Sequence, residues 1–183
     1  MEWFWYFVIY SFLGFLLEVV FAHLLHGRPD RKCFLVLPLC PVYGLGGCAS
    51  VLLAPLAQGR PAALFLLCTV ICSAVEYAMA VWYEHGVGVS FWDYTRMPGN
   101  LHGRVCLPFA AAWGLLALVL VYRVHPVMVG FVSQIPAAIT VTAIPALLTD
   151  AVVSYRLLRR TGDRGCLRWY DGVLRKHASK QEA

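Results

Sequence analysis

Long apolar runs separated by short polar breaks organise this chain. Crossing a bilayer as a helix takes about 20 mostly apolar residues. Five runs approach that length: Trp3–Leu25, Phe34–Ala57, Pro61–Tyr83, Val105–Tyr122 and Pro136–Leu158. Their apolar residues are continuous rather than alternating, which predicts helices and not barrel strands. A shorter apolar piece, Pro126–Gln134, precedes the last run. Its length predicts a segment that lies at the interface or re-enters. The second run carries Pro38, Pro41, Gly44, Gly46 and Gly47. A broken span is expected there, with Pro41 starting a half-helix whose positive end favours anionic groups. A simple proline kink is the plainer alternative.

Composition agrees with this pattern. The 183 residues are 60% hydrophobic and 14% charged, with a mean hydropathy of +0.68. A water-soluble domain would lack the polar residues to cover its surface. The expected fold class is therefore an all-α polytopic integral membrane bundle of about five helices over residues 1–158, with a basic tail at 159–183. The start, MEWFWYF, has Glu2 where a secretory signal carries Lys or Arg, so the first run is expected to stay as a span. Seven cysteines without CxxC spacing, an odd number, predict reduced packing residues rather than a disulfide framework.

Charge sets the expected orientation. With the N-terminus outside, the inner segments hold Arg28, Arg31, Lys32, Arg96, Arg104, Arg156, Arg159, Arg160, Arg164, Arg168, Arg175, Lys176 and Lys180. The outer segments hold Arg60 and Arg123, a bias of thirteen to two. The positive-inside rule then puts the C-terminus in the cytoplasm. This bias accounts for the basic excess without nucleic acid. In the tail, basic residues alternate with Leu167, Tyr170, Val173 and Leu174. That spacing fits a surface helix on anionic lipid, and equally a solvated tail.

Packing does not explain the loop Phe91–Leu107, FWDYTRMPGNLHGRVCL, which crowds hydrogen-bonding groups between two spans. Nor does it explain Glu18, Glu76 and Asp150, one in each of the first, third and fifth runs. Insertion of such a charge costs roughly 2.5–3.5 kcal/mol, so it normally faces the bundle interior. Each acid lies about 15 residues from its outer end, which puts all three on one level, on the order of 10 Å below the cytoplasmic surface. Small and polar neighbours such as Ser11, Gly14, Ser73 and Ser154 would let the helices approach there. The expected site is a cytoplasm-facing polar cavity made by Glu18, Glu76, Asp93, Asn100, Arg104 and Asp150, with Tyr43 and Tyr94 as hydrogen-bonding neighbours. In that reading the acids take the cationic part of a substrate, or protons, while Arg104 and the helix start at Pro41 take its anionic part. The plainer alternative is an internal salt-bridge network closed by the loop.

Other chemistry finds little support. There is no GxxxxGK[ST] phosphate loop, no GxSxG elbow and no zinc spacing among His23, His26, His85 and His102. Neither a metal nor a cofactor nor a catalytic residue is assigned. Paired carboxylates could nevertheless serve a membrane-embedded enzyme acting on a lipid or polyprenyl substrate, or a scaffold that uses them as an ion-pair network.

Several stretches together resemble one family. They are YSFLGFLLEVV (Tyr10–Val20), LPLCPVYGLGG (Leu37–Gly47), the SAVEY around Glu76, WDYT (Trp92–Thr95) and NLHGRVCL (Asn100–Leu107). The chain resembles the CmpB-like, type IV ABC-transporter family of small bacterial membrane proteins. The resemblance implies a permease-like component of the bacterial inner membrane. It further implies a separate ATPase subunit and self-association, since five spans make a small pathway.

Overall fold

The computed structural model describes residues 1–24 and 33–167, and among them the regular structure is helical. Helix α1 covers Glu2–Leu24, α2 Pro41–Leu53 and α3 Pro61–Trp82. Then follow α4 (Leu107–Val119), α5 (His125–Val132) and α6 (Ala137–Thr161). Four continuous helical stretches are long and apolar enough to cross a membrane: Glu2–Leu24, Pro61–Val87, Leu107–Val132 and Ala137–Thr161. The fifth unit, Pro41–Ala57, is shorter. Large exposed side chains such as Leu13, Leu66, Val70 and Leu148 face outward, as helices solvated by lipid require.

The second unit is short because residues 34–40 do not coil. Pro41 occupies the first turn of α2, where its missing N–H is harmless. Non-helical backbone at membrane depth needs partners from the protein. Ser154 Oγ accepts from Val36 N at 3.0 Å, Asp150 Oδ1 from Leu37 N at 3.2 Å, and the Ser11 carbonyl from Cys40 N at 2.9 Å. Residues of α1 and α6 thus hold the unwound stretch.

Glycines set how closely the helices approach. A Cβ on Gly14 would collide with the Tyr43 ring, and one on Gly44 with Ser11 Oγ and Phe7. Those two positions press α1 and α2 together. Gly114 does the same for α4 against Thr69 and Phe65 of α3.

The fourth run differs from its expected end at Tyr122. A π turn over Leu120–Val124 joins α4 to α5, so the Pro126–Gln134 piece continues the same helix instead of forming a separate interfacial segment. Pro126 removes one helical donor, and the wider π turn just before it accommodates the loss without breaking the helix. A second π turn, Tyr83–Val87, ends α3 and leads into Gly88 at φ +85°.

Within the basic tail, residues 159–163 are exposed and a short turn after them packs on the bundle. After α6, the turn Arg164–Leu167 folds back, Arg164 donates to the Phe91 carbonyl at 2.8 Å, and Leu167 is buried. Leu158 and Leu167 share a core with Tyr83, Val87 and Phe91. The rest of the expected tail helix, together with His26, Arg28, Arg31 and Lys32, lies outside the described residues.

Candidate functional site

Glu76 sits on the inward face of α3 and is 4% exposed. Both carboxylate oxygens accept a hydrogen bond: Oε1 from Tyr94 Oη and Oε2 from Trp113 Nε1, each at 3.1 Å. Glu18, half-buried on α1, accepts from Tyr43 Oη at 2.8 Å. All five residues line one cavity of about 120 Å³. Its walls are aromatic. The Tyr43 and Trp113 rings lie 4.6 Å apart, and Tyr94 stacks on Phe109 at 4.9 Å.

Four helices meet to make this arrangement. The Gly14–Tyr43 contact brings α2 against α1, so that the Tyr43 phenol reaches Glu18 one helical turn further along. Gly114 brings α4 against α3, which delivers the neighbouring Trp113 to Glu76. Cys40 and Val42, at the start of α2, line the same cavity. The start of that helix therefore lies beside the carboxylates.

The loop between α3 and α4 supplies Tyr94 and is held by its own polar groups. Asp93 Oδ1 accepts from Thr95 N at 2.9 Å. That backbone bond, more than the nearby Arg96, holds the Asp93 carboxyl below its ordinary range. The Asn100 amide donates to the carbonyls of Thr95 and Met97 and accepts from Gly103 N. His102 and Gly103 adopt positive φ of 54° and 70°, which tightens the turn, and Leu101 bridges to Val105. Burial raises the Tyr94 hydroxyl well above the usual phenol range, with Glu76 adding to the effect. Tyr94 therefore remains a neutral donor.

Arg104 turns away from the cavity. Its Nη2 and Nε reach Glu84 Oε2 at 2.6 and 2.9 Å, and Nη1 donates to Tyr77 Oη at 3.0 Å. The bond to Glu84 is the main reason its pKa is raised. His102 completes the group, with Nδ1 at 3.0 Å from Tyr77 Oη. Of the eight residues expected from sequence, the fold brings Glu18, Glu76, Tyr43 and Tyr94 to one cavity. Asp93 and Asn100 shape the loop, Arg104 docks it on α3, and Asp150 holds the unwound stretch through Leu37. Trp113 and Trp92 also line the cavity. Neither is among the residues expected from sequence, although Trp113 brings the one indole N–H in its apolar run.

A family model described as "Putative ABC-transporter type IV" matches residues 5–155. The chain belongs to that family. No curated protein and no solved structure shows a significant match.

Membership and the apolar helices together fit a membrane transport component. The family match covers most of α1, all of α2 to α5, most of α6 and every residue of the cavity. It extends over the stretches quoted from the sequence, and each has a place in the geometry. Tyr10–Val20 carries Ser11, Gly14 and Glu18, Leu37–Gly47 carries the unwound entry to α2, and Trp92–Leu107 carries the loop that delivers Tyr94.

Proposed function

We propose that this chain is the membrane component of a bacterial inner-membrane transporter and that Glu18 and Glu76 form its cation-binding site. The observation that carries the reading is the shared cavity: two carboxylates, two phenols and two indoles face one small space. Carboxylates neutralise a cation, and aromatic faces add an attraction that strengthens where water is excluded. Arg104 takes no part in binding an anionic group, because Glu84 engages it. The thirteen-to-two bias of basic residues toward the side that carries the α3–α4 loop supports a cytoplasmic loop and an outside N-terminus. The cavity then lies toward the cytoplasmic side.

Family membership supports an ATPase partner on a separate chain, and the small number of spans supports self-association. Equilibrium binding of tetramethylammonium to the purified protein in nanodiscs tests the site. Glu76→Gln and Glu18→Gln should each weaken binding about tenfold, taking a modest ~1.4 kcal/mol for the lost charge. Glu84→Gln should leave it unchanged. Folded Glu76→Gln and Glu18→Gln proteins that bind as the unaltered chain does would refute the assignment.

A further inference from the structure

The carboxylate cavity does not end at Tyr43 and Trp113. A second cavity, of about 220 Å³, begins on the other side of these two rings and shares them as lining, together with Leu17 and Leu116. It runs along α1 from Leu17 back to Tyr10, roughly 10 Å at helical rise. Its lining is almost entirely apolar. Polar atoms are concentrated at the other end of the pair, where Glu18 and Glu76 stand.

This second cavity lies between α1 and α4, and each of those helices packs chiefly on a different neighbour. α1 packs on α2, and α4 packs on α3. The rim is formed by Leu13 and Leu17 of α1 and Val119 of α4, all of them exposed. These residues sit near the middle of helices long enough to cross a membrane. A mouth at that depth opens on acyl chains rather than on water. The two cavities together reach the lower end of the roughly 300–1,000 Å³ typical of small-ligand sites. That size suits one hydrocarbon chain and a compact head.

We infer that the ligand of this site is an amphiphilic cation with a single alkyl or prenyl chain, and that it enters sideways from the membrane. The inference rests on the cation-binding reading of Glu18 and Glu76. In it the chain lies in the Tyr10–Leu116 crevice while the charged head sits between the two carboxylates, in contact with Tyr43 and Trp113. Charge complementarity selects the head. The apolar crevice and its lipid-facing mouth select the tail.

Binding of dodecyltrimethylammonium and of tetramethylammonium to the protein in nanodiscs separates the two claims. Comparison is made between variants at one ligand, so that bilayer partitioning cancels. Leu120→Trp fills the crevice at a position that does not line the carboxylate cavity, and Val119→Trp closes its exposed rim without touching the buried core. Each should weaken dodecyltrimethylammonium at least tenfold, because each methylene lost from the crevice counts for up to roughly fourfold. Tetramethylammonium should change less than twofold. Glu76→Gln should weaken both ligands. If both tryptophan variants bind the long-chain cation as the unaltered protein does while Glu76→Gln still loses both ligands, the lateral amphiphile is wrong and the cation site stands. If Glu76→Gln affects neither ligand, both readings fall.

Discussion

Tyr94 reaches from the loop into the bundle and donates its hydroxyl to Glu76 at 3.1 Å, the same carboxylate that Trp113 holds from α4. A buried carboxylate is tolerable only with such donors. Tyr94 thus ties the loop to the site, with Trp92 of the same loop lining the cavity beside it.

Removing either donor should weaken the fold measurably. Hydrogen bonds to charged groups contribute about 1.5–3 kcal/mol. Tyr94→Phe and Trp113→Phe should each lower the unfolding free energy in detergent by an amount in that range. Because the two bonds share one carboxylate, the double variant should depart from additivity.

The close helix contacts predict a sharp contrast among glycines. Gly14→Ala and Gly44→Ala would drive a methyl into Tyr43 and into Ser11 and Phe7, at an overpacking cost of about 1–3 kcal/mol each. Gly130→Ala meets nothing within 4 Å and should be neutral or slightly stabilising. Thermal unfolding of the three variants checks this, and equal shifts would contradict it.

Asp150 is predicted to act on the unwound stretch and not on the ligand. Asp150→Ala removes the acceptor of the Leu37 N–H, and about 1–3 kcal/mol of stability should go with it. Hydrogen exchange over residues 33–40 should accelerate, while tetramethylammonium affinity of the folded fraction stays constant. Asp150→Asn keeps an acceptor oxygen and should lose less.

How much of this was legible in the sequence differs from residue to residue. Helices were legible because apolar runs of membrane length have few alternatives. The continuation through Pro126 was not, since a proline reads as a stop unless a π turn precedes it. Glu18 and Glu76 announced themselves by their cost in lipid. Tyr43 and Tyr94 could be placed near the acids as hydrogen-bonding neighbours, but which acid each meets (Glu18 and Glu76) is set by tertiary contacts. Arg104 reads from sequence as a partner for an anionic ligand group, yet Glu84 in the turn that ends α3 engages it. The partnership of Asp150 with Leu37 spans 113 residues and left no local pattern.

Acidification should loosen the loop through Asp93. Its folded pKa is lowered from 3.8, chiefly by the Thr95 amide. Stability from a lowered carboxyl is fully present above the unfolded value and disappears as pH falls through the folded one. Exchange of the Thr95 amide should therefore rise below about pH 4, and Asp93→Asn should flatten that dependence. An unchanged profile in Asp93→Asn would assign the acid sensitivity elsewhere.

Infrared difference spectroscopy of the protein in lipid, on adding tetramethylammonium, tests the central claim most directly. Carboxylate stretching bands should shift on addition, and part of the difference signal should vanish in Glu18→Gln, part in Glu76→Gln and all of it in the double variant. A carboxylate signal that survives intact in the folded double variant would place the cation at other acids and contradict the Glu18–Glu76 site.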